Sequence, residues 1–167
     1  RDRVAGPQHR NLWFWAFVGP FVVGLLLFTV TGFTLNHAGQ IEGKPVTIER
    51  EAQLPPSLLK LVQPGPAETD EKQERPLPTE LSKWIAGELS MEPRATAEWS
   101  ADEIYLALPR PGGDGWVSID RATGEVLAES SSRGAISYLN DLHKGRNTGT
   151  AWSWFIDIFA FASLVFA

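Results

Sequence analysis

The chain has no cysteine, one methionine and two tyrosines, and between Arg10 and Glu42 it carries no charged residue at all. Without Cys there are no disulfides, no thiolate zinc or iron–sulfur sites, no Cys nucleophile and no covalent c-type haem attachment. Positive charge is also scarce: 15 Lys and Arg stand against 20 Asp and Glu, and no basic stripe occurs. Phosphate neutralisation supplies most nucleic-acid affinity, so a nucleic-acid partner is excluded. A Ser or Cys nucleophile signature, a metal-ligand motif and a Gly-rich phosphate loop are missing too, which leaves no basis for an independent hydrolase.

What the 167 residues do contain is unevenly spread. From Ile41 to Leu142 there are 18 acids against 10 bases, a net of −8, while both ends are slightly positive and strongly apolar. Residues 12–35, LWFWAFVGPFVVGLLLFTVTGFTL, would form a helix of roughly 36 Å at about 1.5 Å per residue, longer than the ~30 Å hydrocarbon core. A cleaved signal peptide is the competing reading. It has a shorter apolar region of roughly 7–15 residues and an A-x-A-like site, and neither is found. Trp13 and Trp15 suit an interfacial belt, and Arg1, Arg3 and Arg10 predict a cytoplasmic N-terminus, so the acidic middle is expected to be exported. Gly19-Pro20 and Gly24 mark a kink and close helix packing.

A second apolar run, NTGTAWSWFIDIFAFASLVFA, covers residues 147–167 and predicts a second membrane helix. The chain starts at Arg1 and ends within this run, so a fragment lacking a third helix is expected. The resulting division is a cytoplasmic segment 1–11, a membrane helix 12–36, a connector and linker 37–78, an α+β domain 79–132, a re-entry segment 133–146 and a second membrane helix 147–167. Within the connector, PSLLKLV from Pro56 suits a short helix with Pro in its first turn, and the charged run Glu68–Arg75 suits a linker. In the domain, Thr79 is expected to cap a helix whose Leu81, Trp84, Ile85 and Leu89 recur at helical spacing. Strands are expected at 95–100, 103–109, 115–120 and 125–130, with Gly112–Gly115 as a flexible hairpin loop and Asp120–Gly124 as a turn.

The helix, the strands and the final hairpin WVSIDRATGEVLAES resemble a PepSY domain. The flanking TGFTLNHAG and YLNDLHKGRNTGTAWSWFID resemble the PepSY-associated transmembrane proteins of the bacterial inner membrane. The fold class implied is a transmembrane helix hairpin with an inserted small α+β PepSY-like periplasmic domain. Some members of that family are linked to siderophore–iron reduction and carry b-type haem. The resemblance therefore implies a membrane redox or iron-related role, with other membrane subunits or a periplasmic redox protein as partners.

Three histidines bear on that implication. His37 follows the outgoing helix and His143 precedes the returning one, so topology is expected to place both at the outer membrane face. Imidazoles on adjacent antiparallel helices can supply both axial ligands of a low-spin haem b. Lys144 and Arg146 would then meet the propionates, and Trp154 would pack on the ring. The alternatives are interfacial anchoring by the two His, with Lys144 and Arg146 on lipid phosphates, and a non-haem metal held with Asp141. His9, 28 residues before His37, belongs at the opposite face, as a snorkelling residue or a second, inner-face haem ligand. Asp157, some ten residues into an apolar helix, costs about 2.5–3.5 kcal/mol on insertion scales, so it needs a partner or carries a proton. Counted at 100° per residue from His143, it falls on one stripe with Asn147, Thr150, Trp154 and Phe161, the expected inward surface. The rival function is a cofactor-free accessory or assembly subunit, or a protease-modulating PepSY module. In that case Trp152, Trp154, Phe155, Phe159 and Phe161 form a partner-helix surface.

Overall fold

The computed structural model describes residues 7–41, 43–65, 71–93 and 96–166. Helix α1 runs from Pro7 to Asn36, and its charge-free stretch Phe14–Asn36 has a mean hydropathy of 2.1 over 23 residues. Among the described residues it is the one helix long and apolar enough to cross a bilayer. A short α2 (Ala38–Ile41) leads into the sheet module.

The module is a six-stranded antiparallel sheet in the order β1-β6-β5-β4-β3-β2. Its strands are β1 (Val46–Gln53), β2 (Gln73–Pro76), β3 (Thr96–Trp99), β4 (Glu103–Ala107), β5 (Gly113–Asp120) and β6 (Glu125–Ser132). Alternation decides its faces. Ile104 and Leu106 of β4, Val117 and Ile119 of β5, and Val126 and Ala128 of β6 point to one side and are buried. Helices α3 (Pro56–Val62) and α4 (Thr79–Leu89) cover that side, inserting Val62 and the i, i+4, i+8 row Leu81, Ile85 and Leu89. Each such side chain contributes roughly 1.5–3 kcal/mol by leaving water, which makes this the main store of stability in the module.

Several expectations are corrected here. Thr79 does not cap α4: Pro78 is the N-cap, without a side-chain hydrogen bond, and Thr79 is already the first helical residue. The Gly112–Gly115 loop is tighter than expected. Arg110 and Gly113 exchange backbone hydrogen bonds around Pro111 and Gly112, and Gly113 to Gly115 already belong to β5. Pro111 fixes φ and Gly112 takes φ +69°, the arrangement of a type II turn, so no slack is left. The segment read as connector and linker supplies both edge strands. Within the re-entry segment, helix α5 (Gly134–Lys144) forms before α6 (Thr150–Phe166). At the Asp120 turn, the carboxyl accepts the amides of Thr123 (2.7 Å) and Ala122 (2.9 Å). The Thr123 backbone and hydroxyl hold it below its ordinary value; burial opposes them, and the Ala122 amide adds a lesser pull in their direction.

Candidate functional site

The site is built around α5, which touches the sheet module on one side and α1 on the other. Its polar residues Ser137, Asn140 and Asp141 are buried, an inversion of the usual amphipathic pattern that only specific partners can support. Toward the module, the Asp141 carboxylate accepts the Gly112 amide at 2.8 Å and the Arg133 guanidinium at 3.1 Å. Arg133 also reaches Asp114 at 2.9 Å. Toward the membrane helix, Thr34 Oγ1 donates to Asn140 Oδ1 at 3.0 Å, and one turn deeper Thr31 Oγ1 meets His143 Nδ1 at 2.8 Å. Since Asn140 lies opposite Thr34 and His143 opposite Thr31, α5 descends along α1 in the antiparallel sense. It ends in a Schellman closure: Gly145 takes φ +66°, its amide bonds Leu142 O, and the Arg146 amide bonds Asp141 O.

This descent separates the two histidines. His143 packs on Phe28, with ring centroids 5.1 Å apart, and lies against Gly32, whose missing Cβ would stand 3.7 Å from its Cε1. His37 is five residues beyond Gly32, about 7.5 Å further along the helix axis. Its ring lies on Phe33 at 4.4 Å, and its Nδ1 bonds the Phe33 carbonyl at 3.0 Å. Phe33 is 64% exposed, so His37 sits on a side of α1 turned away from His143. The expectation of a common depth is corrected, because the sequence gives no sign that His143 is carried inward by a helix of its own. A haem iron requires both axial imidazoles on one atom. The His37–His143 pair as it stands does not fit that group.

His143 itself faces a different environment. An apolar cleft of about 240 Å³ lies between α1 and the α5–α6 corner, lined by Gly24, Leu27, Phe28, Leu142, His143, Trp152 and Phe155 among others. Thr31 has one hydroxyl proton, and its Oγ1 already lies 2.9 Å from Leu27 O and 3.1 Å from Phe28 O. With that proton on its own helix, Thr31 Oγ1 has a lone pair to offer the imidazole Nδ1. Trp152 anchors the corner by donating Nε1–H to Leu142 O at 2.8 Å. Lys144 and Arg146 are exposed.

Trp154 is corrected as well. It is 64% exposed and points away from the cleft, which Trp152 and Phe155 line instead. The stripe counted from His143 fails because the chain is not one helix: Gly145 and Asn147, at φ +66° and +56°, reset the phase before α6 starts. Phe159 packs on α1 while Asp157, Trp154 and Phe161 are exposed. Asp141 is committed to Gly112 and Arg133, so it is not a ligand beside the two His. The expectation for His9 rests on a side chain outside the described residues. Among the described residues no cluster of three or more His, Asp and Glu could hold a metal ion.

One surface was not singled out by sequence reasoning. The sheet face opposite the helices is uncovered, and three like-charged pairs stand directly across from each other on it: Glu49 and Glu129, Glu74 and Glu98, Glu103 and Asp120. Near its centre Tyr105 and Trp116 stack at 6.4 Å with ring planes 22° apart. The i, i+2 spacing of Glu49 and Glu51 was visible in the sequence, but only the strand register brings the acids together. A larger groove of about 470 Å³, lined by Ile48, Arg50, Met91, Leu108 and Arg110, opens on the helix side, away from the histidines.

Together these features define a membrane protein in which an α+β sheet module is fastened to an apolar helix through a single amphipathic joint. The chain belongs to the PepSY_TM-like family, whose sequence profile matches residues 8–167. No curated protein and no solved structure matches it.

Proposed function

We propose that this chain is a cofactor-independent accessory subunit of the bacterial inner membrane, with its N-terminus cytoplasmic and its sheet module in the periplasm, where the uncovered sheet face docks a positively charged partner protein. One observation carries this reading: the three like-charged cross-strand pairs. Carboxylates directly opposite one another destabilise a sheet; Lys72 meets Glu98 at 3.5 Å, Ser118 donates to Glu103, and the Thr123 and Ala122 amides hold Asp120, so the cost that a cationic partner would offset is greatest at Glu49 and Glu129. The Tyr105–Trp116 pair supplies an aromatic anchor of the kind that dominates binding surfaces.

The test separates docking from folding. Glu49→Lys places a cation opposite Glu129 and is expected to raise stability by roughly 0.2–1 kcal/mol. The same change is expected to slow association of the partner by about tenfold at low salt. A photo-crosslinker at Ser118 in the full-length protein reports the docking in cells. The reading predicts an adduct with a basic protein that weakens in Glu49→Lys. An adduct indifferent to that substitution, or none at full expression, overturns it.

A second reading, haem b held by His143 for electron transfer in iron or siderophore reduction, draws support from one observation: the Nδ1-bonded imidazole borders an apolar, aromatic cleft. It differs from the His37–His143 pair in what it predicts. A reduced-minus-oxidised visible spectrum of the full-length protein should show a b-type α band lost in His143→Ala and kept in His37→Ala. A band that needs both residues restores the pair, and a featureless spectrum with haem supplied removes the reading.

A further inference from the structure

Helix α6 carries one carboxylate, and packing fixes its depth. Phe159, two residues beyond Asp157, stacks on Phe28 (5.2 Å between centroids) and on Phe21 (5.5 Å). It also fills the space at Gly24, where a Cβ would lie 2.5 Å from its ring. Residues 21–28 occupy the middle of the apolar stretch Phe14–Asn36. Asp157 lies about 3 Å along the axis from Phe159 and therefore close to the centre of the segment that crosses the bilayer. Its side of the helix is open. Trp152, Ile156, Phe159 and Ser163 are partly covered, whereas Ser153, Asp157, Ala160 and Leu164 are exposed along one line. Asp157 has no hydrogen-bond or ion-pair partner among the described residues.

A carboxylate facing hydrocarbon at that depth is among the most costly placements a membrane helix can have, and such groups are found paired. We propose that the Ser153–Asp157–Ala160–Leu164 face of α6 receives a membrane-embedded helix of a partner subunit, which presents a neutral hydrogen-bond donor to Asp157. Ser153 and Ala160 are small enough for close backbone approach. A second copy of the described helices is a poorer occupant. It would bring carboxylate against carboxylate, and neither Phe14–Asn36 nor α6 contains a Lys, Arg or His. The inference rests on the membrane placement of α1 and is independent of what docks on the sheet.

The absence of Cys makes site-directed spin labelling direct. Single Cys substitutions at Ser153, Ala160 and Leu164, and at Trp154, Ile158 and Phe161, are labelled in the full-length protein in lipid bilayers, and collision with dissolved oxygen is measured. The first set is expected to be several-fold less accessible than the second. Asp157→Leu should raise the first set to the level of the second, while Asp157→Asn, which keeps hydrogen bonding, should leave it shielded. Equal accessibility of the two sets, or shielding that survives Asp157→Leu, overturns the proposal. So do short label-to-label distances between copies, which identify a self-associating face. Preferential relaxation of both sets by a water-soluble nickel chelate would place α6 outside the bilayer and overturn it too.

Discussion

Asp141→Ala is expected to cost about 2–3 kcal/mol of folding stability, read from chemical unfolding of the detergent-solubilised protein. Asp141 is 5% exposed, so removing its carboxylate strands the Gly112 amide with no replacement acceptor. It also takes away one of two partners of Arg133, which retains Asp114. That retained contact, and the partial exposure of Arg133, put the loss below the roughly 3–5 kcal/mol of a fully buried broken pair. Asp141→Asn keeps an acceptor for Gly112 and should recover about half of the loss. Asp141→Ala behaving like wild type would mean that α5 is held by the module through apolar contact alone.

Gly112→Ala attacks the same joint from the other side and should cost about 2–5 kcal/mol. Gly112 takes φ +69°, a region that disfavours a Cβ, and the added atom would stand 2.7 Å from Tyr138 Cα and 2.8 Å from Tyr138 N. Both are backbone atoms, so no rotamer change relieves the overlap and α5 itself must shift. The shift should be visible as faster amide exchange in α5 and at Thr31 and Thr34, not only as a lower melting temperature. Gly115→Ala is the milder comparison in the same hairpin: its nearest neighbour, at 3.0 Å, is the end of the Met91 side chain, which can move aside, and the Glu129 carbonyl oxygen at 3.2 Å needs to give by only a few tenths of an ångström. If the two substitutions destabilise equally, the close approach at Tyr138 is not what fixes α5.

The parts of this architecture written in apolar spacing were legible in the sequence. The charge-free run before Glu42 announces α1, the row Leu81, Ile85 and Leu89 announces α4, and Ile104, Leu106 and Leu108 announce a strand with one buried face. Elements that exist because of their neighbours were not. β2 is Gln-Glu-Arg-Pro, which has no strand signal of its own and is ordered by pairing with β3. β1 alternates Glu49 and Glu51 with Arg50 and Ala52, a pattern diluted by its position at the sheet edge. α5 hides its buried face under polar names, since Ser137, Asn140 and Asp141 are the residues turned inward. Missing α5 was decisive for the candidate site. A straight count from His143 to Asp157 runs through Gly145 and Asn147, whose left-handed backbones break the helical phase. The count therefore misplaced Trp154 and Asp157, and the depth of His143 relative to His37 was lost with it.

The fastening of α5 on two opposite sides has a mechanical side. Thr31 and Thr34 grip it from the membrane rod through His143 and Asn140, Gly112 and Arg133 grip it from the sheet through Asp141, and all of these attachments fall within a single helical turn. A rod that leans to match a thinner or thicker lipid layer would carry the sheet with it, as an oar turns its blade. The angle at which the acidic surface meets whatever floats past would then be set partly by the lipids underneath.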